Sequence, residues 1–202
     1  MDERRTAICE AVLDLAADGG NRAVTHGAVD RRLDLPKGST SYYYRTRSDL
    51  LRAAIGRLAT RSRDAFDRAA PRAVDRETAA DVVAAQLDLL LGDRRRDALA
   101  RYALAPDAAA EGLADLLATC LFSVPLATGL FTELGAYRPE DAAHDLISLL
   151  EGLLFDRLYG ARSLVDRTPV EGVADLRRPV ACWLAALVDS RPPDQRGPSP
   201  LS

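Results

Sequence analysis

The sequence predicts an all-α protein in which two short N-terminal helices, joined by a turn, precede a larger helical domain. Apolar residues recur at helical spacing along the chain, and no useful stretch alternates apolar and polar residues as a strand does. Apolar residues make up 48% of the composition but aromatic residues only 5%, so alanine and leucine dominate a core that favours helices.

The first two helices are delimited by a glycine pair and a threonine. Gly19-Gly20 is a typical helix C-terminus, and Thr25 is a good N-cap for the helix that follows. The spacing predicts that these apolar side chains face inward: Ile8, Val12, Leu15 and Ala16 in the first helix, and Ala28, Val29 and Leu33 in the second.

A turn and two further helices complete the N-terminal part. Asp34–Gly38 has turn chemistry, and Ser39–Tyr44 can form a very short third helix. Ser48 followed by Asp49 predicts the cap of a fourth helix, which runs to about Ala70. Its expected buried stripe consists of Leu50, Leu51, Ala54, Ile55 and Leu58.

Beyond Pro71 the sequence predicts helices divided by prolines. The expected segments are Glu77–Leu91, Arg94–Leu104 with a break near Pro106, Glu111–Leu134 hinged at Pro125, Pro139–Tyr159, and a last stretch opened by Thr168-Pro169 and kinked or divided at Pro179. The tail 191–202 holds four prolines, and we expect it to be disordered.

Composition argues against several classes of protein. The three cysteines (Cys9, Cys120, Cys182) are far apart and form no CxxC pair, so we expect reduced thiols, no metal site and no cofactor. The chain has two histidines and no HExxH, Walker A, GxSxG or GxGxxG motif, so we expect no enzyme. It shows neither a signal peptide nor a membrane-spanning run, which favours a cytoplasmic location without membrane contact.

The charge of the chain is unevenly distributed. Residues 25–65 carry nine Lys and Arg against four acids, whereas the whole chain has a net charge of −3. A basic segment on an acidic body suits a protein that touches a polyanion with one small face, although a solvated helix surface would look the same.

Small polar residues followed by tyrosines occupy the third helix, where a helix-turn-helix protein contacts DNA. Such a helix presents its N-terminal side chains to base edges in the major groove, and tyrosine and arginine bind the flanking phosphates. We therefore predict contacts with double-stranded DNA from Thr25, Lys37, Gly38, Ser39, Thr40, Ser41, Tyr42, Tyr43 and Arg47.

The stretch from Thr25 to Leu50 resembles the TetR family of bacterial transcriptional regulators. Thr25, Val29, Leu35, Gly38, Tyr43, Tyr44, Arg47 and Leu50 match the pattern of that family. Asp30, Asp34 and Ser41 depart from it, standing where the family has alanine, glycine and tyrosine. The resemblance in motif covers residues 4–58.

The resemblance implies a ligand-responsive repressor that binds an inverted-repeat operator as a homodimer. The implied domains are 1–47 for DNA binding, 48–70 as a connecting helix, and 71–190 for dimerisation and for binding a small, apolar effector. Candidate effector-binding residues are Gln86, Tyr102, Cys120, Phe122 and His144. A helical adaptor that binds only proteins is the alternative.

The helix Pro139–Tyr159 is apolar over more than one face, which favours pairing with a second copy. Together with the last helix it could form a four-helix interface across a two-fold axis; burial within one large core is the other interpretation. The expected interface residues are Leu146, Leu150, Leu153, Trp183, Leu184 and Leu187.

Overall fold

The computed structural model of the chain describes residues 3–69, 75–165 and 169–190. Within these ranges the secondary structure is helical, without a strand. The α-helices are α1 Glu3–Gly19, α2 His26–Arg32, α3 Ser39–Tyr43, α4 Arg47–Ala69, α5 Arg76–Leu91, α6 Arg95–Ala110, α7 Ala114–Ala118, α8 Val124–Glu133, α9 Pro139–Tyr159 and α10 Pro169–Asp189. Short 3-10 turns cover Asn21–Ala23 and Ala161–Leu164. The predicted disorder of the tail 191–202 falls outside the described residues.

The helices form two compact units. The first comprises the described residues of 1–70 and 89–123, and the second those of 71–88 and 124–202. In the first unit α1 packs on α2, α4 and α6, while in the second α9 packs on α8 and α10. By packing, α6 and α7 therefore belong with the N-terminal helices, whereas the functional boundary that we place at residue 71 stays a prediction.

The core of the first unit is built on the stripe predicted for α4. Leu50, Leu51, Ala54, Ile55 and Leu58 are each fully buried, which confirms that prediction. In α1, Ile8, Val12 and Ala16 are buried as expected, but Leu13 is buried while Leu15 is only half-buried. Leu13 follows Val12 on a helix face broad enough to pack against α4 and α6 together.

Several predicted helix ends were wrong. The α4 helix begins at Arg47, and Thr46 and Asp49 cap it reciprocally, the Asp49 amide donating to Thr46 Oγ1 at 3.0 Å. The α6 helix continues through Pro106, where a break was expected, and α10 is not divided at Pro179, which was one of the two outcomes expected there. Pro125 lies in the first turn of α8, a position where proline is tolerated, so it opens a helix and is not a hinge.

A cluster of ion pairs ties α6 to α1 and α4 inside the first unit. The carboxylate of Asp97, which is fully buried, lies 3.0 Å from Arg96, 3.2 Å from Arg94 and 3.3 Å from Arg61. Glu10 of α1 bonds to Arg96 at 2.6 Å and to Arg61 at 3.1 Å, so two guanidinium groups bridge the two carboxylates. Buried charges of this kind are tolerated only when every partner is present.

Replacing Asp97 tests this cluster. Asp97→Asn leaves three arginines around an uncharged amide and should lower the free energy of unfolding by about 2–4 kcal/mol. Urea unfolding followed by circular dichroism measures it. Asp93→Asn, which removes the same charge from an exposed position nearby, should change stability by less than about 0.5 kcal/mol. Equal effects of the two substitutions would show that the cluster does not stabilise the unit.

Candidate DNA-binding site

The helices α2 and α3 and the turn between them form the predicted helix-turn-helix. Thr25 caps α2 as expected, its Oγ1 accepting from the Ala28 amide at 3.1 Å. The turn needs two left-handed residues, and Asp34 (φ 51°) and Gly38 (φ 93°) supply them. Asp34 therefore does make the turn in which the family pattern has a glycine.

The outward face of α3 is polar and accessible. Ser41 is exposed and Tyr42 is 84% exposed, and Lys37 and Gly38 are exposed just before the helix begins. Ser39 is half-buried, and its hydroxyl donates to the Pro36 carbonyl at 2.6 Å. Side chains free to reach a base edge thus come from one face of a helix of five residues.

Thr40 was predicted to contact DNA, and its position in the structure differs from that prediction. Its side chain is fully buried, and its hydroxyl donates to Asp30 Oδ1 at 2.6 Å. A hydroxyl held inside the domain in this way is not presented to DNA. Thr40 therefore supports α3 from within, whereas the side chains of Ser41 and Tyr42 are exposed.

Asp30 is the buried partner that the sequence did not reveal. Besides the hydrogen bond from the Thr40 hydroxyl, its carboxylate accepts hydrogen bonds from the backbone amides of Gly38 and Thr40, each at 2.8 Å. Burial opposes the charged form, yet these hydrogen bonds hold the pKa of the Asp30 carboxyl below its ordinary value. Its departure from the alanine of the family pattern was the signal that could have identified it.

Tyrosines and arginines surround the outward face. Tyr42 packs edge-on against Tyr43, with ring centroids 5.4 Å apart. The guanidinium of Arg5, from the start of α1, lies 5.8 Å from the Tyr43 ring centroid and 5.7 Å from that of Tyr44. Arg5 was not among the residues predicted to contact DNA, because only the fold brings the start of α1 beside α3.

A shallow depression of about 450 Å³ lies between α3 and the first turns of α4. Its lining combines aromatic rings with arginines: Tyr42, Tyr43, Tyr44, Arg45, Asp49, Arg52 and Ala53. Arg45 and Arg52 are exposed there. Aromatic hydroxyls and guanidinium groups are the donors that bind DNA phosphates, so this depression suits the sugar–phosphate backbone beside the groove.

Arg47 is held by the protein itself. Its guanidinium donates to the carbonyl oxygens of Val24 and Asn21 and pairs with the carboxylate of Asp107 on α6. Asn21 also bonds to Asp107, at 3.4 Å. Arg47 therefore joins the start of α4 to the turn before α2 and to α6, and its predicted contact with DNA stays a prediction.

The candidate effector residues lie in both units. In the first unit Tyr102 is half-buried, while Cys120 and Phe122 are buried. The Cys120 thiol donates to the Ile55 carbonyl at 3.7 Å, and burial raises its pKa to about 12. In the second unit Gln86 is half-buried and His144 is exposed on α9. Cys120 thus has the surroundings of a core residue and His144 those of a surface residue.

Burial also revises the dimer residues. Leu146, Leu150 and Leu184 are buried inside a single chain, so they are core residues and not interface residues. Leu153, Trp183 and Leu187 are half-buried. Large apolar side chains instead lie exposed elsewhere on α9, namely Leu149 (36%), Phe155 (51%) and Tyr159 (50%).

The described residues also bear on metals and membranes. They bring together no group of three His, Cys, Asp or Glu side chains that could hold a metal ion. Among them, no helix has both the length and the apolar character needed to cross a bilayer.

Comparison with known families gives one match. The profile of a family described as tetracyclin repressor-like, C-terminal domain, matches residues 74–190, which is more than half of the chain. No curated protein matches the sequence.

Solved structures share the fold over nearly the whole chain. A member of the TetR family from Streptomyces coelicolor A3 has 22% identity and a TM-score of 0.64, covering 93% of this chain and 99% of its own. The multidrug binding protein EbrR, complexed with ethidium, has 23% identity and a TM-score of 0.66, with 93% and 100% covered. The fatty acid degradation regulator FadR from Bacillus halodurans has 15% identity and a TM-score of 0.73, with 95% and 99% covered.

The pairing of Arg47 with Asp107 can be measured directly. Arg47→Ala and Asp107→Ala should each lower the free energy of unfolding. The loss in the double variant should be smaller than the sum of the two single losses by about 1 kcal/mol, because the second substitution removes a bond that the first has already broken. Urea unfolding of the four proteins gives this coupling energy. Arg45→Ala, an exposed neighbour, should show no coupling to Asp107. Additive effects of Arg47 and Asp107 would contradict the pairing.

Proposed function

The chain belongs to the TetR family of DNA-binding transcriptional regulators, and we propose that it acts as a dimeric, ligand-responsive repressor that reads an inverted-repeat operator with α3. The observation that carries this proposal is the two-sided character of α3. Thr40 is buried on one side while Ser41 and Tyr42 are exposed on the other. A helix held in this manner presents a fixed set of side chains to the major groove.

Cations flank that face where phosphates would lie. Lys37 stands just before α3, Arg45 and Arg52 line the depression beside it, and Arg5 stacks near Tyr43. Phosphate contacts position a protein on the duplex, and base contacts give it specificity. We assign positioning to these cations and to Tyr43 and Thr25, and base reading to Ser41 and Tyr42.

Dimerisation follows from the same proposal, because a protein that reads an inverted repeat needs two recognition helices about 34 Å apart. The exposed apolar side chains Leu149, Phe155 and Tyr159 give α9 a surface suited to a second copy. The rings of Phe155 and Tyr159 lie 5.3 Å apart and present one continuous aromatic patch.

The effector is proposed as a small, mostly apolar molecule. EbrR, which shares the fold, is described as a multidrug binding protein and was solved with ethidium. The residues that the sequence predicts to bind the effector, namely Gln86, Tyr102, Cys120, Phe122 and His144, stay predictions. An effector releases DNA only if it binds better to a dimer whose recognition helices no longer match the operator, and operator DNA must then weaken effector binding by the same factor. We place this activity in the cytoplasm.

The DNA-binding part of the proposal can be tested with a duplex selected from a random pool by the wild-type protein. Arg5→Ala and Lys37→Ala should each weaken binding and reduce the slope of log K against log salt by about one unit, because each removes one phosphate contact. Arg95→Ala removes the same charge from an exposed site on α6 and should leave the slope unchanged. Absence of salt-dependent binding by the wild-type protein would contradict the proposed function.

The dimer surface is tested by charge substitution. Phe155→Glu should give a folded monomer, since it places an unpaired charge within the apolar patch. Light scattering and circular dichroism report mass and folding together. Leu126→Glu on α8, equally exposed at 51%, should remain dimeric. Leu150→Glu should unfold, because Leu150 is buried in its own chain. A stable dimer of the Phe155→Glu variant would show that the interface does not involve this patch of α9.

A further inference from the structure

We propose that His26 and Asp30 of α2 form a clamp on the two ends of α3 and so set the orientation in which this helix meets the bases. They are one helical turn apart and therefore lie on the same face of α2. The inference rests on the proposed function, since α3 is taken as the helix that reads DNA. The α2–α3 clamp denotes these two residues and their bonds to α3.

At the start of α3 the clamp is a carboxylate. The residue at the N-cap position is Gly38, which has no side chain to satisfy the first amides of the helix. Asp30 accepts from the amides of Gly38 and Thr40 at 2.8 Å and from the Thr40 hydroxyl at 2.6 Å. A residue of α2 thus performs the capping that α3 cannot provide for itself.

At the end of α3 the clamp is an imidazole. His26 Nε2 lies 2.8 Å from the carbonyl oxygen of Tyr44, which is the C-cap residue of α3. A carbonyl oxygen only accepts, so His26 donates from Nε2. The last turn of a helix leaves carbonyls without intrahelical partners, and this bond satisfies one of them.

The two contacts together restrict α3 more than either one alone. A single attachment point leaves a five-residue helix free to pivot about it. Asp30 bonds to two amides and a hydroxyl at one end of α3 and His26 bonds to a carbonyl at the other, so the bonds together restrict both tilt and rotation. The charge of Asp30 also agrees with the helix dipole, which favours an anion at the N-terminal end. Small rotations of α3 would move Ser41 and Tyr42 relative to the base edges, so the clamp governs specificity.

Neither residue needs to touch DNA for this role. Asp30 is only 3% exposed, so it cannot meet a base edge, and its charge is already compensated by hydrogen bonds from α3. His26 is half-buried, with its Nε2 directed at Tyr44. The clamp residues are therefore positioning residues, and their loss should affect sequence reading without removing a phosphate contact.

The experiment compares two duplexes, one selected from a random pool by the wild-type protein and one of mixed, unselected sequence. Asp30→Asn should lose about tenfold in affinity for the selected duplex, the order expected when charge-assisted hydrogen bonds are lost. Affinity for the unselected duplex should change by less than about twofold and the salt slope should not change, because the phosphate contacts remain.

Asp34→Asn is the matched control. It removes the same charge from an exposed residue of the adjoining turn, and asparagine also tolerates a positive φ. It should bind both duplexes as the wild-type protein does. Hydrogen exchange of residues 38–44 should be faster in Asp30→Asn than in Asp34→Asn, which reports on the clamp without DNA.

His26 has its own pair of variants. His26→Ala should reduce affinity for the selected duplex in the same direction as Asp30→Asn, and His26→Gln, which keeps an N–H donor, should recover part of the loss. If Asp30→Asn does not fold, the affinities of Thr40→Val and Thr40→Ser for the two duplexes are compared instead. Only serine keeps the hydroxyl that donates a hydrogen bond to Asp30.

The outcomes separate the two claims. If the wild-type protein prefers the selected duplex and Asp30→Asn keeps that preference in full, the clamp is overturned while the proposed function stands. If all variants lose affinity equally for both duplexes, Asp30 acts only on stability, and the clamp is again overturned. A wild-type protein that binds neither duplex would overturn the proposed function, and the clamp with it.

Discussion

A helix of five residues has too few internal hydrogen bonds to persist in water, and this constraint governs the whole N-terminal part of the molecule. The α3 helix exists because its neighbours hold it. Within α3, the side chain of Thr40 is buried on the inward face. Tyr44, which follows the helix and is 8% exposed, anchors the end of α3 beside α1, because the Tyr44 hydroxyl lies 3.6 Å from Cys9 Sγ. Burial raises the pKa of Tyr44 to about 12, so this hydroxyl stays protonated and uncharged. These contacts lie on the inward face, and Ser41 and Tyr42 on the outward face stay exposed.

That support extends to α6 through charged groups. Asp97 and Asp107 come from the two ends of α6, and each binds an arginine of α4, the first Arg61 and the second Arg47. Burial opposes ionisation of Glu10 on α1, yet hydrogen bonds from Arg57 and Arg96 hold its pKa below the ordinary value. Displacing α6 from α1 and α4 would break these bonds, so they hold the helices of the first unit together.

Helical periodicity predicted most elements because burial follows it closely. Pro139–Tyr159 was placed correctly, since a proline at its start and leucines throughout leave little choice. The break expected near Pro106 was wrong because Leu104 and Ala108, both fully buried, hold the helix on either side of the proline. The cap of α4 was placed two residues late, at Ser48, because Thr46 forms the reciprocal pair with Asp49.

The site was harder to predict, for a different reason. Spacing identifies which residues share a helix face but not which face turns inward, so Thr40 was taken for a base-reading residue and Leu150 for an interface residue. Both errors arise from tertiary contacts. The carboxylate of Asp30, ten residues earlier, accepts a hydrogen bond from the Thr40 hydroxyl, and Leu150 is buried in the core of the second unit. Arg5 was missed because only the fold brings the start of α1 beside Tyr43.

We propose that the exposed face of α3 determines which DNA sequence the protein prefers. Selection from one random duplex pool by the wild-type protein, Ser41→Ala and Tyr42→Ala measures this most directly. We expect the wild-type protein to enrich an inverted repeat. Each variant should alter the preferred base at a position repeated in both half-sites, by about 1–3 kcal/mol per altered contact. Enrichment of the same sequence, to the same degree, by all three proteins would contradict it.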